Sequence, residues 1–106
     1  MEHLDRAEAS LATTVDDSGT RIVSIAGELD LSNVPAIEKE LAPLIDRSAP
    51  PITFDFSRLE FMDSSGIAML LRVVNESGPI SIRNAPRTVR VIIDATGLGD
   101  VLRVAP

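Results

Sequence analysis

Residues 61–74 read Phe61-Met62-Asp63-Ser64-Ser65-Gly66-Ile67-Ala68-Met69-Leu70-Leu71-Arg72-Val73-Val74. From Ile67 onward the run is almost wholly apolar. Periodicity alone fits either a buried helix or a buried strand. The length of the run and the side chains in front of it favour the helix. A helix start leaves free N–H groups, and Asp or Ser side chains accept hydrogen bonds from them. Before this stretch, Ile52, Phe54 and Phe56 alternate with Thr53 and Asp55, which predicts a strand, and residues 57–63 are expected to form the turn between. After it, Ser77-Gly78-Pro79 stops the helix and Ile80-Ser81-Ile82 reads as a short strand. Strand, helix and strand in succession require a sheet on which the helix can lie.

The flanks extend the pattern. Leu11, Thr13 and Val15 alternate with smaller or polar residues, Asp16-Asp17-Ser18-Gly19 is a turn signal, and Arg21 to Ala26 is rich in β-formers. Together these predict a hairpin, whose second strand ends at Gly27-Glu28-Leu29-Asp30. Ser32 or Asn33 can cap a helix that carries Val34, Ile37, Leu41, Leu44 and Ile45 at helical spacing. Pro35 suits its first turn, and Pro43 should kink it or make its last turn irregular. Ser48-Ala49-Pro50-Pro51 reads as a loop. Pro86 opens a third helix with Val89, Ile92 and Ile93 on one face, Gly97 ends it, and Val101 to Val104 forms a last strand. The order β-β-α-β-α-β-α-β predicts an α/β fold. We expect a mixed sheet of four to five strands, with the helices packed mainly on one face and the other face partly open. Residues 1–9 read as a flexible polar tail and 10–106 as a single domain.

Composition narrows the function. The chain has 106 residues, enough for one core. It carries 16 acidic against 10 basic residues, for a net charge of −6, which disfavours direct nucleic-acid binding. Its only aromatics are three Phe, so stacking on bases is not expected. There is no cysteine, which fits a reducing compartment. No apolar run is long enough to span a membrane, and the charged start does not resemble a secretory signal, so a cytoplasmic location is expected. His3 is the only histidine and lies in the tail. A Ser-His-Asp site, a zinc site and a Gly-rich phosphate loop are therefore all unexpected. The chain is not expected to be an enzyme, to bind a metal or to carry a cofactor.

Ser64 and Ser65 are the residues that stand out. One reading is capping, in which Asp63, Ser64 or Ser65 accepts a bond from the first turn. The other is a phosphoacceptor, because a phosphate at a helix start meets free N–H groups and the positive end of the dipole. Phe61 and Met62 read as core or a hydrophobic staple, or as part of a binding patch. If the second and third strands, those ending at Asp30 and at Phe56, are neighbours, Asp30 lies near Ser64 and can receive its hydrogen bond or help position a kinase's metal.

Three segments in order, Gly27-Glu28-Leu29-Asp30, Phe61-Met62-Asp63-Ser64-Ser65-Gly66 and Asp94-Ala95-Thr96-Gly97-Leu98, resemble the STAS domains of bacterial anti-sigma factor antagonists. The resemblance covers residues from about 10 to 104. It departs at Ile67-Ala68, where the family commonly has Leu-Gly. It implies a STAS fold and a partner-switching phosphoprotein that regulates sigma-dependent transcription. In that scheme the unmodified protein binds an anti-sigma factor that is also a serine kinase of the GHKL type. The kinase phosphorylates the first serine after the Asp, here Ser64, with Ser65 the second candidate, and a phosphatase resets it. The partner-binding residues so implied are Asp30, Met62, Asp63, Ser64, Ser65 and Gly66. The alternative is a STAS subunit of a stress-signalling assembly or of a lipid or anion transporter, with no direct contact to the membrane.

Overall fold

The computed structural model describes residues 8–46 and 51–105. Two strands open the chain, β1 (Ala9–Val15) and β2 (Arg21–Leu29), paired antiparallel in unbroken register from Ala9 opposite Gly27 to Val15 opposite Arg21. The turn between them is held by Asp16, whose Oδ1 accepts from the Ser18 hydroxyl at 2.7 Å and from the N–H groups of Ser18 and Thr20 at 2.9 Å. These bonds hold the Asp16 carboxyl below its ordinary pKa. Of the tail expected over residues 1–9, residues 1–7 lie outside the described residues, while Ala9 already belongs to β1.

After β2 come α1 (Val34–Leu41), β3 (Ile52–Asp55), β4 (Leu59–Met62), α2 (Ser64–Ser77), β5 (Ile80–Arg83), α3 (Arg87–Thr96) and β6 (Leu102–Val104). Pro43 acts as expected: α1 stops at Leu41 and Ala42–Leu44 continues as one 3₁₀ turn. Of the loop at 48–51, residues 48–50 lie outside the described residues. The sheet runs β1-β2-β3-β5-β6, with all but β1 parallel to β2. This path has five strands, the upper end of the expectation, and β4 adds a sixth that pairs with the far half of β2.

β4 is the main difference from the sequence reading, which made 57–63 a turn. Leu59 pairs with Gly27, but Phe61 pairs with Glu28, so Glu60 is an extra residue in the ladder. The bulge breaks the alternation. Leu59 and Met62 are buried three residues apart while Glu60 and Phe61 face out, a spacing no strand pattern would suggest.

The connections β2–β3, β4–β5 and β5–β6 each carry a helix and move the chain in the same direction across the sheet. Right-handed crossovers then place the helices on one face. Ile25, Leu29, Phe54 and Ile82 on the strands and Phe56 just after β3 meet Ile37, Leu41, Met69, Leu70, Val89 and Ile93 on the helices in one core. The alternate strand residues Thr53, Asp55, Ser81 and Arg83 are half-buried or exposed, so the other face is open as expected.

Two helices are joined at the surface by Glu38 of α1 and Arg72 of α2, whose guanidinium donates to both carboxylate oxygens at 2.7 and 2.8 Å. The Arg72 bond lowers the Glu38 pKa from 4.5 against the opposing effect of partial burial. A depressed carboxyl pKa stabilises the fold above its unfolded value and loses that contribution as pH falls through the folded value. Arg72 is half exposed, so screening keeps the pair below about 1 kcal/mol. Glu38→Gln is expected to lower stability by about 0.5 kcal/mol near neutral pH, with the gap closing as pH falls through the lowered Glu38 value. Urea denaturation near neutral pH and in acid measures it.

Candidate functional site

The parallel pairing of β2 with β4 builds the site. Leu29 lies opposite Met62, and the Asp63 N–H donates to the Leu29 carbonyl at 3.2 Å. Asp30 and Asp63 therefore leave neighbouring strand ends side by side. The second and third strands are neighbours, as the sequence condition required, since β3 pairs with the first half of β2, but it is β4, paired with the far half, that brings Asp63 beside Asp30.

Asp30 organises its own loop. Its Oδ1 accepts from the Ser32 N–H at 2.9 Å and the Ser32 hydroxyl at 2.6 Å. Its carbonyl accepts from the N–H groups of Asn33 and Val34, which starts α1. Asn33 occupies the N-cap position but turns its side chain back, accepting from the Asp30 N–H at 3.0 Å and donating to the Glu28 carbonyl at 2.7 Å. Both hydroxyl and amide candidates for capping α1 thus serve the loop. Among the described residues the Asp30 carboxylate bonds to Ser32 and not to Ser64.

Asp63 is the N-cap of α2. Its Oδ1 accepts from the Ser65 N–H at 2.8 Å, and its carbonyl accepts from the Gly66 N–H at 3.0 Å. Of the three capping candidates this leaves both serines relieved of the task. Ser65 is half-buried. Ser64, the first residue of the helix, is exposed, and its hydroxyl has no hydrogen-bond partner among the described residues. Asp63→Ala is expected to cost about 1 kcal/mol and Asp63→Asn far less, because the amide oxygen still accepts the Ser65 N–H. Thermal unfolding of the two variants distinguishes them.

Two residues read as partner contacts are placed elsewhere. Met62 is 3% exposed and Gly66 is buried. A Cβ on Gly66 would run into the Met62 side chain and come within 3.3 Å of Leu29 Cδ2. These two residues let α2 lie close on the sheet and offer no surface of their own. Two large apolar residues near these strand ends in the chain are exposed, Phe61 at 48% and Leu31 at 74%, with Glu28 and Glu60 also outside. Leu31 drew no notice in the sequence, although a large apolar residue between Asp30 and Ser32, in an otherwise polar loop, is a usable signal. Among the described residues no group of His, Cys, Asp and Glu is placed to hold a metal, and His3 lies outside them. No helix among them is long and apolar enough to cross a membrane.

An antiparallel hairpin that leads into parallel strand–helix units covered on one face is the arrangement of a STAS domain. The family model described as "Mlab, STAS domain" matches residues 12–104, and the chain belongs to that family. Among curated relatives, the anti-sigma-B factor antagonist of Bacillus subtilis is 26% identical over 87 residues, covering 78% of this chain and 79% of its own. Among solved structures, an anti-sigma factor antagonist from Mycobacterium paratuberculosis superposes with a TM-score of 0.82 at 25% identity, over 93% of this chain and 86% of that one. The Bacillus protein SpoIIAA has been solved both unphosphorylated and phosphorylated. Its TM-scores are 0.71 and 0.68 at 29% and 28% identity, over 92% of this chain and 89% and 92% of those chains. These relatives are all named as anti-sigma factor antagonists.

Proposed function

We propose that this protein is an anti-sigma factor antagonist whose grip on its partner is released by phosphorylation of Ser64. The observation that carries the proposal is the exposed Ser64 hydroxyl at the start of α2, left without a partner because Asp63 supplies the cap. The relatives named as antagonists support the role, and the existence of SpoIIAA in two phosphorylation states supports the switch. The partner is a cytoplasmic anti-sigma factor that is also a GHKL-type serine kinase. It transfers the γ-phosphoryl group of Mg²⁺-bound ATP to Ser64 Oγ, with ADP leaving and the hydroxyl proton passing to a base of the kinase. Asp30, Asp63, Ser64 and Ser65 form the contact, Phe61 and Leu31 extend it, and Met62 and Gly66 support it from below. A phosphatase restores the hydroxyl.

The test is incubation with the cognate kinase and ATP, followed by mapping of the modified residue. Phosphate on Ser64, absent from Ser64→Ala, is the expected result. Modification confined to Ser65 defeats the proposal. A second reading keeps the fold as an interaction subunit of a transporter or a stress-signalling assembly. The match of residues 12–104 to the family described as "Mlab, STAS domain" is the observation that favours it. On that reading no kinase modifies the chain, and a membrane permease complex retains it.

A further inference from the structure

The two edges of the sheet differ in a way the site at Ser64 does not explain. At one edge, β6 is three residues long and carries Arg103, both of which discourage another strand from pairing. At the other, β1 has seven residues, Ala-Ser-Leu-Ala-Thr-Thr-Val, with no charge, proline or glycine and no bulge in its register. Proteins commonly blunt such edges, because a long unguarded strand is a template for another chain.

The direction of its free groups follows from two hydrogen bonds. The Glu28 N–H donates to the Glu8 carbonyl at 2.9 Å, and the Asp16 N–H donates to the Thr20 carbonyl at 3.0 Å. In an antiparallel ladder hydrogen-bonded pairs alternate along the strand. The even-numbered residues from Glu8 to Asp16 therefore face β2. Ala9, Leu11, Thr13 and Val15 turn their N–H and C=O groups outward, where no described residue pairs with them. Val15 also leaves its side chain 65% exposed.

Charge selects the occupant. The strand is bracketed by exposed carboxylates, Glu8 before it and Asp16 and Asp17 after it. If a second copy paired antiparallel through all seven residues, Glu8 would stand opposite Asp16 of the other copy at both ends. Like charges directly opposite are destabilising. A segment with basic ends meets attraction at both. We infer that the outer edge of β1 is a strand-addition site for an extended segment of another protein, with an uncharged β-forming core flanked by lysine or arginine.

The inference stands apart from the role of Ser64 and has its own test. The probe is a synthetic peptide of five alternating Thr and Val residues with two lysines at each end, and the control has glutamates in their place. Amide exchange is followed by NMR on the full chain. In the free protein the amides of Leu11, Thr13 and Val15 are expected to exchange fast, and those of Ala12 and Thr14 slowly. The lysine peptide is expected to protect the first set, and the glutamate peptide to leave it unprotected. Thr13→Pro deletes an outward N–H that takes no part in the β1–β2 ladder, so it should keep the fold and weaken binding about tenfold or more. Should that variant unfold, Glu8→Lys with Asp17→Lys decides, because it should reverse the preference between the two peptides. Outward amides already protected in the free chain, a concentration-dependent dimer that protects them, or equal binding of the two peptides each overturns the inference.

Discussion

Phosphorylation of Ser64, or its imitation by Ser64→Glu, is expected to weaken binding to the anti-sigma factor by about a hundredfold or more, while Ser64→Ala binds at least as well as the wild type. The added phosphate carries a charge of about −1.5 to −2 at neutral pH. It enters a surface that already holds Asp63 one residue away, Asp30 on the neighbouring strand end, and the exposed Glu28 and Glu60. A tight interface cannot seal such a charge without a matching cation. An uncompensated buried charge costs about 3–5 kcal/mol, and every 1.4 kcal/mol is tenfold in affinity. The domain itself should hardly notice. Ser64 Oγ bonds to no described residue and the cap is Asp63, so Ser64→Ala is expected to change stability by less than about 0.5 kcal/mol. A negative charge at the start of α2 also meets the favourable end of the helix dipole. Calorimetric titration of the anti-sigma factor against wild type, Ser64→Ala and Ser64→Glu, beside their melting curves, tests both halves. Equal affinities for the alanine and glutamate variants would remove the switch. A large loss of stability in Ser64→Glu would recast it as unfolding.

This separation of charge from stability depends on a detail that residue types alone left open. The start of α2 was legible, because an Asp and two serines before an apolar run are what a buried helix start requires. Which of the three does the capping was not, since all are good N-caps and the outcome depends on the angle at which β4 enters the helix. The one-sided placement of the helices was legible from the order of elements, since right-handed connections leave little choice. β4 was hidden because Glu60 is inserted into its ladder, and period-2 reasoning has no provision for an extra residue. The same bulge turns Phe61 outward, so that exposed apolar residue was hidden with it. The family resemblance implied Met62 and Gly66 as contact residues, although Met62 also read as core or a staple. Burial separates neighbours in a chain, and these two face the sheet–helix seam.

Gly27→Ala is expected to have the largest effect on stability of any glycine-to-alanine change in the described residues, on the order of 2–4 kcal/mol. Gly27 has φ +94°, which an L side chain rarely adopts, and a Cβ there would strike the Glu8 carbonyl oxygen and lie 3.3 Å from Ala9 Cα. Both obstacles are backbone atoms, Ala9 in β1 and Glu8 just before it, held against β2 by the pairing and by the Glu28 N–H bond to the Glu8 carbonyl, so neither can readily step aside. Gly97 also has a positive φ, at the end of α3, but no atom lies within 4 Å of its would-be Cβ. Gly97→Ala should therefore cost only the strain, about 1 kcal/mol. Gly66→Ala falls between, because the obstacle is mainly the Met62 side chain, which can repack at a cost of about 1–3 kcal/mol. For a domain of this size 1 kcal/mol moves the melting temperature by about 4–8 °C, so the order Gly27, Gly66, Gly97 is measurable by thermal unfolding. The order has a functional side. Gly27 donates its N–H to the Arg58 carbonyl at 3.0 Å and sits where the register of β4 shifts. That shift sets Leu29 against Met62, and so brings Asp30 beside Asp63. If Gly27→Ala folds at all, it should lose partner affinity beyond its loss of stability, and restoring stability with an added osmolyte should recover the fold without recovering the contact. A Gly27→Ala variant as stable as Gly97→Ala would mean that β1 yields to the new methyl group, and that the close approach of the two strands is not what holds the site in register.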